Sequence, residues 1–284
     1  MKVVHTIKEA RNLVTQHRSQ GHSIGFVPTM GALHAGHLSL IERSVEENEF
    51  TAISIFVNPL QFGPNEDLHQ YPQTPEQDIA AATEAEADLI FHPSASEILG
   101  ESILTFVDIA SLQDNLCGLQ RPGHFLGVCT IVTKLFNIIT PHRAYFGQKD
   151  IQQLFILQKM TEDLNFDIEI ISCPIVREPD GLAMSSRNAY LSPQERQDAA
   201  VLSQSIKEAI NDIQPGKTAA EDMIINITKR IEQVDGATID YVNIVNIHMQ
   251  DVDIIHKGDI LALAVYIGTT RLIDNHIIGE PLTF

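Results

Sequence analysis

Gly25-Phe26-Val27-Pro28-Thr29-Met30-Gly31-Ala32-Leu33-His34-Ala35-Gly36-His37-Leu38 is the stretch on which the fold reading turns. Its apolar opening reads as a buried strand over 23–27. A glycine-punctuated turn follows, and then an amphipathic helical pattern over 36–47. A strand that turns directly into a helix leaves the first helical N–H groups without carbonyl partners. They lie at the carboxyl end of the strand, where open α/β sheets take their ligands, and this predicts an anion site. His34 and His37 have only Ala35 and Gly36 between them. Both imidazoles can then face one phosphate, while glycine lets the backbone approach closely. Zinc is the weaker reading, because no HExxH pair or cysteine cluster supplies a third ligand.

Outward from this stretch, short β-branched and aromatic runs at 51–57, 88–92, 144–146 and 167–172 alternate with helical patterns at 75–86, 128–139 and 151–163. That alternation predicts a Rossmann-like α/β domain over 1–175, a parallel sheet with helices on both faces. Thr74, Pro75 and Gln77 have the pattern of a helix start with a capping side chain. After Pro174 the texture changes. Ser192, Pro193 and Glu195 open one amphipathic helix, and Thr218 with Glu221 opens a second whose Ile224, Ile227, Ile231 and Val234 share a face. Three β-rich runs at 239–245, 260–267 and 271–278 complete a smaller α+β domain over 176–284 that is expected to act as a lid. Stretches 61–73 and 118–127 read as loops.

Composition narrows the function. The 284 residues carry 19 Lys and Arg against 37 Asp and Glu, a formal charge of −18, which argues against surfaces built to neutralise nucleic-acid phosphates or anionic lipid. No apolar run reaches the roughly 20 residues that a membrane helix needs, and the first residues lack a signal-peptide pattern, so a cytoplasmic enzyme is expected. The three cysteines form no CxxC pair and read as small buried hydrophobes.

Other segments add polar chemistry at strand ends. Asn58 precedes Pro59, which disfavours helical backbone there, so Gln61 can stand at the sheet edge with an amide able both to donate and to accept. In Gly147-Gln148-Lys149-Asp150, Lys149 offers a positive charge to a polyphosphate, and Asp150 can accept from ribose hydroxyls or cap the following helix. Gln153 lies one turn on. Met184-Ser185-Ser186-Arg187 follows Gly181 and presents two hydroxyls and a guanidinium on an expected flexible loop. Gly216-Lys217-Thr218 is not a P-loop, since Asn211 stands where the first glycine belongs, and there is no GxGxxG.

The stretch 28–37 resembles the signature of the pantothenate synthetase family, the pantoate–β-alanine ligases of the HxGH nucleotidyltransferase superfamily, which is related to class I aminoacyl-tRNA synthetases. Segments 56–63, 121–125, 146–153 and 177–188 fit the same family in the same order, and the last resembles the superfamily's KMSKS loop with Arg187 in place of a lysine. The resemblance implies catalytic roles for His34, His37, Lys149, Ser185, Ser186 and Arg187. It also implies ATP contacts from Met30, His37, Gly147, Lys149, Asp150, Val176, Met184, Ser185, Ser186 and Arg187. Gln61 and Gln153 would bind pantoate, Mg2+ would accompany ATP with Asp78 as its protein ligand, and the chain would form a homodimer. Arg121 and His124 match the family without a role that the sequence supplies. The implied reaction makes pantothenate through a pantoyl adenylate. The competing readings are a cytidylyl- or adenylyltransferase acting on a phosphorylated acceptor and a non-catalytic adenine-nucleotide sensor.

Overall fold

The chain runs β1 (Lys2–Val4), α1 (Ile7–Ser19), β2 (Ile24–Thr29), α2 (Ala35–Glu47), β3 (Phe50–Ile55), α3 (Pro75–Glu84), β4 (Leu89–Phe91), α4 (Ala95–Leu99), α5 (Leu116–Gln120), α6 (His124–Ile139), β5 (Arg143–Gly147), α7 (Ile151–Asp163) and β6 (Glu169–Cys173). It continues through α8 (Pro193–Asp198), α9 (Val201–Asp212), α10 (Ala220–Ile231), β7 (Ala237–Val245), β8 (Ile260–Ile267) and β9 (Thr270–Ile277). The structure, a computed structural model, describes residues 1–64 and 66–281. It divides into two compact units, one of residues 1–109, 121–147 and 156–173, the other of 110–120, 148–155 and 174–284.

In the first unit β1 to β6 form a wholly parallel sheet in the order β1-β4-β3-β2-β5-β6. The pleat sends alternate side chains to opposite faces. Val27, Ile53, Ile55, Ile90 and Tyr145 pack with Leu40 and Ile41 of α2 and Ala82 of α3. Phe26 meets Phe136 of α6 edge-on at 6.5 Å, and Phe136 meets Phe146 at the same distance. Both faces are thus covered, which is why the strands read as continuous apolar runs. The expected parallel α/β sheet is therefore present. β1 and α1 add to the expected elements, and α1 carries a full capping box between Thr6 and Glu9. The switch in strand order falls between β2 and β5, which pair through Gly25 with Arg143 and Phe26 with Ala144.

In the second unit β7-β8-β9 form an antiparallel sheet. Leu261, Leu263, Val265 and Ile267 of the central strand pack against Leu202 and Ile206 of α9 and Met223, Ile227 and Ile231 of α10. The smaller α+β unit is therefore present. The helix expected after Ser192 is two helices, α8 and α9. Thr218 does not cap α10: its hydroxyl accepts from the Gln214 N–H at 2.8 Å and closes the preceding turn. Stretch 118–127 is largely helical, with α6 beginning four residues before its expected start.

Candidate active site

The turn after β2 is built against α3. Gly31 and Ala32 both hold left-handed backbone, φ 81° and 49°, which costs an alanine roughly 1–2 kcal/mol through its Cβ. The Ala32 N–H donates to Asp78 Oδ2 at 3.0 Å, the Leu33 N–H to Asp78 Oδ1 at 2.8 Å, and the Thr74 hydroxyl to Oδ1 at 3.1 Å. Thr74 therefore serves Asp78 and not the helix end, correcting its expected role as a cap.

The first turn of α2 departs from the expected cradle of unpartnered amides. The Gly36 N–H donates to His34 Nδ1 at 3.1 Å, and the His34 N–H donates to His37 Nδ1 at 3.3 Å. With Nδ1 accepting in each ring, the neutral imidazoles carry their hydrogen on Nε2, where it can be donated. The rings lie 4.1 Å apart between centroids, so two such donors stand side by side.

Gln61 ends a short 3-10 turn, Pro59–Gln61, just past β3. Asn58, 3% exposed, donates through Nδ2 to Gln61 Oε1 at 3.0 Å and to the Gly127 carbonyl at 3.1 Å. Gln61 Nε2 lies 3.0 Å from Met30 Sδ. Arg121 and His124 converge on the Gln61 backbone. His124 Nδ1 lies 2.8 Å from the Gln61 carbonyl and Arg121 Nη2 lies 3.2 Å from it, while Arg121 Nη1 meets His124 Nε2 at 3.2 Å. Only the tautomer with hydrogen on Nδ1 lets His124 donate to that carbonyl while accepting from Arg121. Arg121 is itself forked onto Glu66 at 2.7 and 2.5 Å. Burial works against the Glu66 carboxylate, but the guanidinium outweighs it and holds the carboxyl below its ordinary range. Arg121, His124 and Asn58 thus acquire a role that the sequence did not supply: they hold Gln61.

In the second unit Lys149 sits in a 3-10 turn, Gln148–Asp150, that follows the last residue of β5, Gly147. Its Nζ donates to the Met184 carbonyl at 3.2 Å. Burial pushes the Lys149 ammonium below its usual pKa, Asp150 opposes this, and Arg187 adds to it. Met184 belongs to a tight hairpin, with its N–H on the Val176 carbonyl at 3.0 Å and a bridge between Arg177 and Ala183 around Gly181. The segment expected as a flexible loop is therefore paired backbone. The Ser185 hydroxyl accepts from the Arg187 N–H at 3.3 Å and opens the 3-10 turn Ser186–Tyr190. Lys149, Val176, Met184, Ser185, Ser186 and Arg187 are all half-buried within this unit; Asp150 is exposed, and Gln153 is half-buried on α7.

The sequence reading missed the polar frame beneath this cluster. Asn275 of β9, 3% exposed, donates to the carbonyls of Gln148 at 3.0 Å and Lys149 at 2.8 Å. Its neighbour Asp274 takes a two-pronged bond from Arg177 at 2.7 and 3.0 Å, with side chains 1% and 4% exposed. Arg177 Nη1 also donates to the Gly181 carbonyl at 3.0 Å. No local pattern could have linked residues separated by 97 to 127 positions.

Within the first unit two paired imidazoles and a framed amide stand just past strand ends, and within the second Lys149 and Arg187 lie in the 3-10 turns Gln148–Asp150 and Ser186–Tyr190. The pantoate-beta-alanine ligase family model matches residues 2–277. The chain belongs to that family of ligases. Pantothenate synthetases of Thermotoga petrophila and Acetivibrio thermocellus are each 51% identical to it, over 98% of this chain and 100% and 99% of theirs. Among solved structures, pantothenate synthetase from Thermus thermophilus superposes with a TM-score of 0.92 at 40% identity, over 98% of this chain and 99% of that one. The pantoate-beta-alanine ligase of Francisella tularensis, solved in complex with beta-gamma ATP and beta-alanine, gives 0.82 at 34% identity over 99% of each chain. Within this ligase family the parallel sheet and the three-stranded second unit are the shared architecture. Among the described residues no helix is long and apolar enough to cross a membrane.

Proposed function

We propose that the chain condenses pantoate with β-alanine at the expense of ATP. The pantoate carboxylate attacks the α-phosphorus, and the bond to the β-phosphate breaks, giving pantoyl adenylate and pyrophosphate. The β-alanine amine then attacks the acyl carbon, loses a proton, and releases AMP with pantothenate. The observation that carries this reading is the pair of adjacent imidazoles at the start of α2, each accepting a backbone N–H at Nδ1 and so carrying its hydrogen on Nε2, a group of the kind that donates to phosphate oxygens. Such donors act by positioning and by stabilising developing charge, which is what phosphoryl transfer asks of a protein.

In this reading His34 and His37 act on the phosphate oxygens, and Met30 and Gly147 line the nucleotide. Lys149, Ser185, Ser186 and Arg187 hold the departing pyrophosphate. Asp150, Val176 and Met184 contact the nucleoside, and Gln61 with Gln153 holds pantoate. Support for Gln61 comes from its frame: Asn58 orients the amide while Arg121 and His124 fix the backbone. The Francisella relative, whose complex contains an ATP form and β-alanine, supports the substrate pair. The Mg2+ expected from the family resemblance does not fit a protein-made cage. Among the described residues no group of three or more His, Cys, Asp or Glu side chains could hold it, and both Asp78 carboxylate oxygens already accept hydrogen bonds, from the Ala32 and Leu33 N–H groups and the Thr74 hydroxyl. The ion would enter as the counter-ion of ATP. A cytoplasmic homodimer completes the proposal, and sedimentation at twice the 31.5 kDa chain mass would bear out the dimer.

The test incubates the protein with ATP, magnesium salt, pantoate and β-alanine and then omits one component at a time. AMP and pyrophosphate that accumulate over many turnovers only when both organic substrates are present support the ligase. A stable nucleotidylated acceptor points to a nucleotidyltransferase, and ATP binding without pyrophosphate release points to a sensor.

A further inference from the structure

Asp78 is 2% exposed, lies in the first turn of α3, and is separated by 45 and 46 positions from the two amides it binds. Its Oδ1 accepts from Leu33 N–H and the Thr74 hydroxyl, and its Oδ2 accepts from Ala32 N–H. A carboxylate so surrounded by donors presents the wrong dipoles to a hard cation, whose ligands must all be oxygen acceptors. What it does bind is the segment between β2 and His34, at the point where two consecutive residues hold left-handed backbone. The fit is close: a Cβ on Gly31 would lie 2.9 Å from Asp78 Oδ2. The amide after Leu33 is that of His34, which donates to His37 Nδ1, so displacement of the turn moves both imidazoles.

We propose that Asp78 is a positioning residue that locks the turn 31–33 and thereby sets the histidine pair, and that it is not a magnesium ligand. This rests on the reading of His34 and His37 as phosphate donors. Asp78→Asn keeps the shape but turns one acceptor into a donor facing an N–H. Thr74→Val removes one supporting bond and leaves the carboxylate in place. Adenylate formation in a single turnover is expected to slow about 10- to 100-fold in Asp78→Asn, the effect of misplacing a catalytic group by a fraction of an ångström to an ångström. Thr74→Val should slow it less, by about 2- to 5-fold, because it removes one hydrogen bond to the carboxylate and leaves the two from the Ala32 and Leu33 N–H groups in place.

Three further readouts separate positioning from metal binding and from simple loss of fold. The magnesium concentration at half-maximal rate should stay within about twofold of wild type, because a true ligand would shift it by roughly tenfold or more. In a His34→Ala background the Asp78→Asn loss should shrink to less than about threefold, as for residues that act as a unit. Hydrogen exchange at the Leu33 amide should accelerate in Asp78→Asn while the thermal transition of the chain persists. A raised magnesium requirement, wild-type adenylate formation, or full additivity with His34→Ala would overturn the proposal. If Asp78→Asn does not fold, Thr74→Val decides alone, and a wild-type rate in that variant counts against it. Should His34→Ala form adenylate normally, the histidine assignment fails. The anchor is then judged on exchange: lost protection at Leu33 supports it, and unchanged protection refutes it.

Discussion

The side-chain amide of Asn275 donates to the carbonyl of Lys149 at 2.8 Å across 126 positions of chain, and to the neighbouring carbonyl of Gln148 at 3.0 Å. A buried strand of the second unit thereby fixes the backbone of the residue assigned to the pyrophosphate. Removing a buried neutral donor with two acceptors costs about 1–2 kcal/mol. Asn275→Ala should therefore lower kcat/KM for ATP by about 5- to 30-fold with an unchanged circular dichroism spectrum. Asn275→Asp should do worse, since it sets carboxylate lone pairs against two carbonyls. Steady-state kinetics with ATP varied check both.

The ion pair of Arg177 with Asp274 is buried, and its removal is a question of stability. Asp274→Ala leaves a guanidinium inside the second unit without its countercharge and is expected to cost about 3–5 kcal/mol. Replacing both residues by apolar ones of similar size should cost less than the single change. Urea unfolding of the single and double variants checks this, and a double variant less stable than Asp274→Ala alone would contradict it.

Lys149 carries a pH dependence. Burial lowers its pKa, so the ammonium is lost at lower pH than the ordinary value of about 10.4. The kcat/KM profile for ATP, which reports the free enzyme, should fall on its alkaline side below that value, and Lys149→Arg should carry the limb upward. The stability sign follows. Between the folded and unfolded pKa values the unfolded chain binds more protons, so this group adds stability as pH rises through its folded pKa. Unfolding free energies across that range should show a shallower rise in Lys149→Arg.

Gly127 of α6 touches the turn that carries Gln61. A Cβ there would stand 2.2 Å from the Leu60 carbonyl oxygen, which is backbone and cannot swing aside. Gly127→Ala should push the Gln61 turn away, raise KM for pantoate by about tenfold with ATP binding little changed, and destabilise the first unit by roughly 1–3 kcal/mol. Substrate kinetics and thermal unfolding check the two effects separately.

The legible parts of this protein are those whose physics is local. The β2–turn–α2 unit could be read because a buried strand, glycine punctuation and a helical period follow one another within 25 residues, and the spacing of His34 and His37 places their rings together. The capping box of α1 was equally local, in Thr6 and Glu9, and was available to be read. Where the reading went astray, a side chain had a choice of partners. Thr74 and Thr218 stand where caps belong but bind Asp78 and the Gln214 amide. The imidazole of His34 takes an amide that serine or aspartate would ordinarily take. The frames under Gln61 and Lys149 were not legible, since Arg121, His124 and Asn275 reach their targets across 60 to 126 positions and only the folded chain brings them together.

The proposed reaction passes through an acyl adenylate. Pantoate labelled with 18O in its carboxylate, supplied with ATP, magnesium salt and β-alanine, tests it directly. The oxygen that attacks the α-phosphorus stays with phosphorus when the amine takes the acyl group, so one labelled oxygen is expected in the AMP phosphate. Pantothenate formed alongside unlabelled AMP would contradict it.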